Sequence, residues 1–203
     1  MGLFKEVAVD PRLKKITDRV IKASEIIRSQ SNQKLLAVGF FDLVGSTSGK
    51  LTEGHELTVR KVIIFNEICN VIIKLFNGTV VKNLGDGTLS YFENPLSACL
   101  ASINIRHYSE HNDLRCKSVL SLGLVEEIKI SDRSDILGSC VDKCFRMEKI
   151  AEQNQILIDD SIFKAIATDI SKFNDIEISK PKEIELKGIG KELLREIFSK
   201  EDP

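Results

Sequence analysis

Apolar residues recur along the chain with two different spacings, and each change of spacing marks a predicted element. A continuous apolar run at residues 35–41 predicts a buried strand, and residues 54–76 show the period of a long amphipathic helix. Two short strands follow at 79–83 and 88–92. The glycines of the intervening Leu84-Gly85-Asp86-Gly87 suit a tight turn, which predicts a hairpin.

The second half of the chain continues the alternation. The pattern predicts helices over 95–109, 138–151 and 160–167, strands over 116–126 and 155–158, and late strands around Ile176, Ile184 and Leu194. Strand–helix–strand–strand–helix–strand is the order of a ferredoxin-like or palm unit. We therefore predict an α+β fold, in which helices pack on one face of an antiparallel sheet.

The ends of the chain differ from this body. Residues 11–31 predict an amphipathic helix that starts at Pro11, so we divide the chain into a helical leader (1–34), one domain (35–198) and a short tail (199–203). The leader carries eight Lys and Arg against four Asp and Glu. Such a helix fits packing on the body or on a second chain. A basic membrane-surface helix is the alternative, although the predicted helix lacks aromatic residues.

Composition restricts the functional classes. The 203 residues carry a net charge of −1, which argues against a dedicated nucleic-acid binder. Five scattered cysteines without a C-x-x-C pair indicate free thiols rather than a zinc site or a disulfide framework. No apolar run approaches the roughly 20 residues needed to cross a bilayer. We expect a cytoplasmic protein without membrane or nucleic-acid partners.

Two carboxylates occupy positions suited to metal chemistry. Asp42 ends the first strand and Asp86 lies in the hairpin turn, and these strands are neighbours in a palm-like sheet. Hard oxygen ligands of this kind suit Mg²⁺ or Mn²⁺. The turn formed by Val44, Gly45, Ser46 and Thr47 precedes a helix and offers free backbone N–H groups to phosphates. Taken alone, an aspartate at a strand end or in a turn, or a turn of small residues, is also common where no metal or phosphate binds.

Together, four motifs resemble one family. Residues 40–47, 82–86, 135–147 and 185–188 follow the order and approximate spacing of motifs in class III nucleotidyl cyclases, the adenylate and guanylate cyclases. The resemblance covers residues 35–198 and implies the class III cyclase fold. It implies a homodimer with active sites at the interface, in which Asp42, Asp86 and the Leu43 carbonyl hold two divalent ions, Mn²⁺ or Mg²⁺.

The resemblance also assigns the remaining roles. Lys82 and Asp135 match the positions that select the base and would come from the other protomer. Arg146 matches the arginine that stabilises the transition state, and Lys187 matches the lysine that binds the triphosphate. The implied reaction converts a ribonucleoside triphosphate to a 3′,5′-cyclic nucleotide and pyrophosphate.

Two departures from the family pattern stand out. Asp142 occupies the position of a catalytic asparagine, and a carboxylate cannot donate a hydrogen bond as an amide does. Asp142 is therefore protonated, or contacts Arg146 or a metal-bound water, or lowers activity. The strand at 122–127 also lacks the family's second glycine.

The choice of base stays open. Lys82 only donates and Asp135 only accepts, a pattern that suits adenine or cytosine, and uracil in swapped order, and disfavours guanine. Phe40 either crowds or stacks on the base, or packs in the core. The bare domain resembles the small pyrimidine cyclases of bacterial anti-phage defence, which favours UTP or CTP as substrate and cUMP or cCMP as a messenger for a separate effector. Alternatives are an adenylate cyclase, a non-catalytic nucleotide-binding regulator, and a palm-type polymerase or cyclic-dinucleotide synthase.

Overall fold

The computed structural model of this chain describes residues 15, 16, 18–20, 33–45, 54–130 and 133–199. The chain divides into two compact units, Met1–Gln33 and Lys34–Pro203. In the first unit the described positions 15, 16 and 18–20 are helical, and the rest of the predicted leader helix lies outside the described residues. The tail beyond Ser199 lies outside them as well.

Strands and helices alternate in the second unit as the hydrophobic pattern predicts. The first half contains β1 (Gln33–Leu43), α1 (His55–Leu75), β2 (Gly78–Leu84), β3 (Gly87–Phe92) and α2 (Pro95–His111). The second half contains β4 (Cys116–Ile130), β5 (Arg133–Leu137), α3 (Ser139–Glu148), β6 (Ile156–Asp159), α4 (Asp160–Ile170), β7 (Ile176–Ile178), β8 (Lys182–Leu186) and β9 (Gly190–Ser199). The predicted elements are confirmed, and β5 was not predicted.

The described strands form a sheet in the order β2-β3-β1-β4-β6-β9-β7, with β5 paired to β4 and β8 paired to β9. The first four strands, in the order β2-β3-β1-β4, have the strand order of a ferredoxin-like unit. The predicted α+β fold is therefore confirmed. The sheet is not wholly antiparallel, because β6 runs parallel to β4 through Ser118↔Ile156 and Leu120↔Ile158.

Side chains of β1 alternate between two separate cores. Ala37, Phe41 and Leu43 pack with α1, α2 and α4 on one face of the sheet. Leu36 and Val38 pack on the other face with α3. The expectation that all helices lie on one face is therefore wrong, because the continuous apolar run of β1 is buried on both sides and needs a helix on each.

The described helices show no segment that is both long enough and apolar enough to cross a membrane. All five cysteines are free and buried, in agreement with the absence of a C-x-x-C pair.

Candidate active site

The end of β1 lies beside the β2–β3 turn and brings the two candidate metal ligands together. Asp42 stands opposite Gly87 in the antiparallel register of β1 and β3. The next residue, Leu43, donates its backbone N–H to the carbonyl oxygen of Asp86 at 3.1 Å. The Asp86 side chain is half-buried in this turn. Backbone hydrogen bonds thus hold the segments that carry Asp42 and Asp86 next to each other, and the charge of Asp86 acts on the Asp42 carboxyl.

Gly87 is needed for this arrangement because no side chain fits at its position. A Cβ atom there would lie 2.5 Å from Cζ of Phe40 and 3.3 Å from Oδ1 of Asp42. The turn also needs Gly85, whose φ of +73° lies in the left-handed region that favours glycine. Gly87 therefore leaves space for Phe40 and Asp42, and Gly85 provides the backbone conformation of the turn.

Helix α1 supports the hairpin from the opposite face. Asn66 donates its Nδ2 to the carbonyl oxygen of Gly85 at 3.0 Å. The Thr88 hydroxyl lies 3.1 Å from the side-chain oxygens of both Asn66 and Asn83. Because Thr88 is fully buried, these polar contacts resist displacement of the turn that carries Asp86.

Asp42 lies in an environment that disfavours its charge. Burial raises the pKa of Asp42 to about 6, and the charges of Asp86 and Glu148 add to the effect, while Lys117 opposes it. The Lys117 ammonium lies 3.7 Å from Oδ2 of Asp42 and 2.7 Å from Oε1 of Glu148. Sequence reasoning missed Lys117 and Glu148, because each lies in an ordinary element and only the fold brings them to Asp42.

The donor set is of the kind that suits a hard divalent cation. Asp42 and Asp86 supply carboxylate oxygens, and the Leu43 carbonyl is a further candidate. Among the described residues no group of three or more His, Cys, Asp and Glu side chains converges to hold a metal ion. Mg²⁺ is commonly held by one or two carboxylates together with substrate phosphates, so two carboxylates suffice for such a site.

The candidate phosphate-binding turn follows β1 directly. Val44 and Gly45 form a turn in which Gly45 has a φ of +84°. The Val44 N–H donates to the carbonyl oxygen of Arg115 at 2.8 Å, so this donor is engaged with the chain. Ser46 and Thr47 lie outside the described residues.

The two candidate base-selecting residues meet within one chain. Nζ of Lys82 on β2 lies 2.5 Å from Oδ2 of Asp135 on β5. Burial alone would raise the pKa of Asp135, but the hydrogen bonds from Lys82 and from the Ile136 N–H, with the charge of Lys82, lower it below its usual value. Both side chains remain partly exposed, so this donor and this acceptor form one accessible polar pair.

Helix α3 carries the two candidate catalytic residues one turn apart. Asp142 lies in the first turn of α3 and is exposed, and Arg146 lies in the last turn and is half-buried. No ion pair joins the two side chains in the described structure, so one of the alternatives considered for Asp142, the contact with Arg146, is not formed. Lys187 is exposed in the β8–β9 turn, where Gly188 has a φ of +80°.

Phe40 lies in the protein interior. Its side chain is 7% exposed, and its ring centroid lies 5.1 Å from that of Phe145 on α3. Of the two roles considered for Phe40, this geometry favours core packing.

Comparison with known proteins finds cyclases that are similar to this chain in sequence or in fold. No family model matches the chain. An adenylate cyclase from Glutamicibacter nicotianae is 27% identical over 125 residues, which are 61% of this chain and 30% of that protein. The chain thus spans less than a third of the curated relative that it matches.

Solved structures are similar over most of the chain. The adenylyl cyclase CyaB from P. aeruginosa superposes with a TM-score of 0.71 at 20% identity, covering 83% of this chain and 95% of that one. The guanylate cyclase domain of RhGC from Catenaria anguillulae, solved in complex with GTP, gives a TM-score of 0.68 at 18% identity, covering 82% and 97%. This chain therefore has the fold of the class III adenylyl and guanylyl cyclase catalytic domains.

Proposed function

We propose that this chain is the catalytic domain of a metal-dependent nucleotide cyclase. It converts a ribonucleoside triphosphate to a 3′,5′-cyclic nucleotide and pyrophosphate. One observation carries the proposal: the end of β1, which carries Asp42, is hydrogen-bonded to the β2–β3 turn, which carries Asp86. The cyclase fold and the similarity to an adenylate cyclase support it.

The residues assigned to the proposed site have complementary tasks. Divalent ions, when bound there, would lower the pKa of the ribose 3′-hydroxyl and neutralise charge on the phosphates. Asp42 and Asp86 hold and orient those ions. Lys117 lies next to Asp42 and offers a positive charge on the same side of the sheet. Arg146 and Lys187 are donors for charge that develops on the phosphoryl oxygens.

A homodimer is part of the proposal. Leu124 on β4 and Leu137 on β5 are each 56% exposed on neighbouring paired strands, and exposed large apolar side chains favour association. In such a dimer the Lys82–Asp135 pair of one protomer meets the base of a nucleotide whose phosphates bind near Asp42 of the other. A complete site then requires two chains.

We propose ATP as the first candidate substrate. The Lys82–Asp135 pair presents a donor beside an acceptor, which matches the ring nitrogen and amino group of adenine. The similar protein from Glutamicibacter nicotianae is an adenylate cyclase, which agrees with this choice. The interior position of Phe40 removes one reason to expect a crowded base pocket.

A pyrimidine triphosphate is the second candidate, since cytosine presents the same pattern as adenine and uracil presents it in swapped order. A cUMP or cCMP product would then act as a messenger for a separate effector in anti-phage defence.

The experiment is a product assay with Mn²⁺ and each of the four triphosphates, read by mass spectrometry. A cyclic mononucleotide that disappears in Asp86→Ala and persists in the control Asp175→Ala, which changes an exposed aspartate, supports the proposal. Nucleotide binding without pyrophosphate release would favour a non-catalytic regulator instead. A dinucleotide product would favour a cyclic-dinucleotide synthase.

A further inference from the structure

Lys143 of α3 takes part in an ionic network with Glu192 and Asp159. Its ammonium lies 2.9 Å from Oε2 of Glu192 on β9 and 3.3 Å from Oδ2 of Asp159 at the end of β6. Ser121 on β4 donates its hydroxyl to the same Oδ2 at 2.6 Å. Asp159 also caps α4, because its Oδ1 accepts the N–H of Ile162 at 2.9 Å. The network thus joins α3, β4, β6, α4 and β9.

The network is buried at its centre. The Asp159 side chain is 1% exposed, and those of Lys143 and Glu192 are 17% and 24% exposed. Burial by itself lowers the pKa of Lys143, but the hydrogen bond and charge of Glu192, with the charge of Asp159, raise the pKa above its usual value. The lysine therefore stays charged, and its two partners restrict its position.

The network includes elements that carry or adjoin Arg146 and Lys187, the two residues proposed to stabilise charge on the phosphoryl oxygens. Lys143 follows Asp142 directly and precedes Arg146 by one helical turn. Glu192 lies in β9, which pairs with β8 through Ile184↔Glu192, and the turn between β8 and β9 carries Lys187. A shift of α3 against β9 would therefore change the position of Arg146 relative to Lys187.

We propose that Lys143 is a positioning residue, whose contacts with Asp159 and Glu192 set the place of α3 against β9. Through this contact Lys143 orients Arg146 without touching substrate itself. The inference rests on the proposed cyclase function for the role of Arg146, but the placement of α3 can be measured independently of activity. An alternative role is stability alone, and buried ion pairs often contribute little net stability over apolar substitutes.

The test compares Lys143→Met with Lys164→Met in the full chain. Lys164 pairs with Asp160 at 2.7 Å but is 76% exposed on α4, so the control makes the same chemical change in a surface ion pair. The first measurement is hydrogen–deuterium exchange of peptides from α3 and the β8–β9 turn. We expect faster exchange there in Lys143→Met at temperatures where the protein stays folded, and no change in Lys164→Met. Unchanged exchange in α3 would overturn the proposal.

The second measurement is steady-state kinetics with a double-mutant cycle. We expect Lys143→Met to lower kcat by about 10- to 100-fold with little change in KM, because small displacements of a catalytic group have effects of this size. In the Arg146→Ala background the same substitution should lower kcat by less than about threefold, because the effects of substituting two coupled residues do not add. Equal effects in both backgrounds would contradict a role through Arg146. Lys143→Arg, which keeps the charge, should restore part of kcat.

A second variant covers the case in which Lys143→Met does not fold. If Lys143→Met does not fold, Glu192→Gln removes one carboxylate and leaves the Asp159 contact, and the same increase in α3 exchange is expected; its absence overturns the proposal. If the wild-type chain cyclises no triphosphate, the proposed function fails. The exchange of α3 then still decides whether Lys143 sets its position.

Discussion

The backbone N–H of Leu43 donates to the carbonyl oxygen of Asp86 at 3.1 Å, which joins the end of β1 to the β2–β3 turn. Because this bond belongs to the backbone, it holds Asp42 near Asp86 whether or not the two carboxylates repel each other. Burial first, and this repulsion second, raise the pKa of Asp42 to about 6. The fold thus keeps an unfavourable pair of charges in place, as is typical of a functional site.

The first prediction concerns the stability of the metal-free protein. The pKa of Asp42 is higher in the folded chain, about 6, than its ordinary value of 3.8. Its contribution to the free energy of unfolding is therefore complete below pH 3.8 and is lost as the pH rises through 6. Asp42→Asn should raise this free energy at pH 7.5 by at most about 3 kcal/mol, and should change it little at pH 4.

Urea unfolding with a chelator present measures this difference. Asp169→Asn is the matched control, because Asp169 forms an exposed ion pair with Lys172. A loss of stability in Asp42→Asn at pH 7.5 would show that Asp42 is not held at an energetic cost.

The second prediction concerns cation binding and pH. A proton on Asp42 competes with a divalent cation, and its pKa of about 6 places this competition below neutral pH. Mn²⁺ alone should raise the Tm at pH 7.5 and have a much smaller effect at pH 5. Asp86→Asn should abolish the Mn²⁺-induced increase at both values. An equal increase in Tm at pH 5 and pH 7.5 would place the cation elsewhere.

The third prediction concerns base selection by Lys82. Its partly exposed pair with Asp135 should contribute less than about 1 kcal/mol to stability. Lys82→Met should therefore leave the Tm nearly unchanged, while it raises KM for the preferred triphosphate and reduces the preference for that base. Competition assays with all four triphosphates measure this preference. The control Lys34→Met breaks a comparable exposed pair with Glu127 and should leave base preference unchanged.

The fourth prediction concerns the unusual aspartate of α3. Asp142 is exposed in the first turn and has no ion pair with Arg146 in the described structure. An ionised carboxylate there repels a triphosphate and cannot donate a hydrogen bond. Asp142→Asn should therefore raise kcat by about tenfold, equivalent to about 1.4 kcal/mol of barrier. An unchanged or lower kcat would mean that the carboxylate serves this enzyme in another way.

Much of the fold follows from periodicity. The apolar run of β1 and the glycines of the β2–β3 turn predict a hairpin next to a buried strand, and β3 does pair with both β1 and β2. Strand β5 was not predicted, because Arg133-Ser134-Asp135 shows no alternation of apolar and polar residues. Its position depends on pairing with β4, which no local pattern shows.

Other parts of the site depend on contacts between distant segments. Lys117 meets Asp42 across neighbouring strands, and its spacing in sequence carries no signal. The position of α3 on the opposite face follows from the two-sided burial of β1, which an apolar run alone does not distinguish from burial on one face. The sequence gives no sign that Lys143 differs from a surface lysine, because its partners Asp159 and Glu192 lie far from it in the chain and only the fold brings them together.

The most direct test of the proposed function is the product formed from an equal mixture of ATP, GTP, CTP and UTP with Mn²⁺, identified by mass spectrometry. We expect one 3′,5′-cyclic mononucleotide, with cAMP as the main product, in equal amount with pyrophosphate and absent in Asp42→Asn. A main product of cUMP or cCMP would reverse the proposed base preference. A folded dimer that binds triphosphate but forms no cyclic product would contradict the proposed function itself.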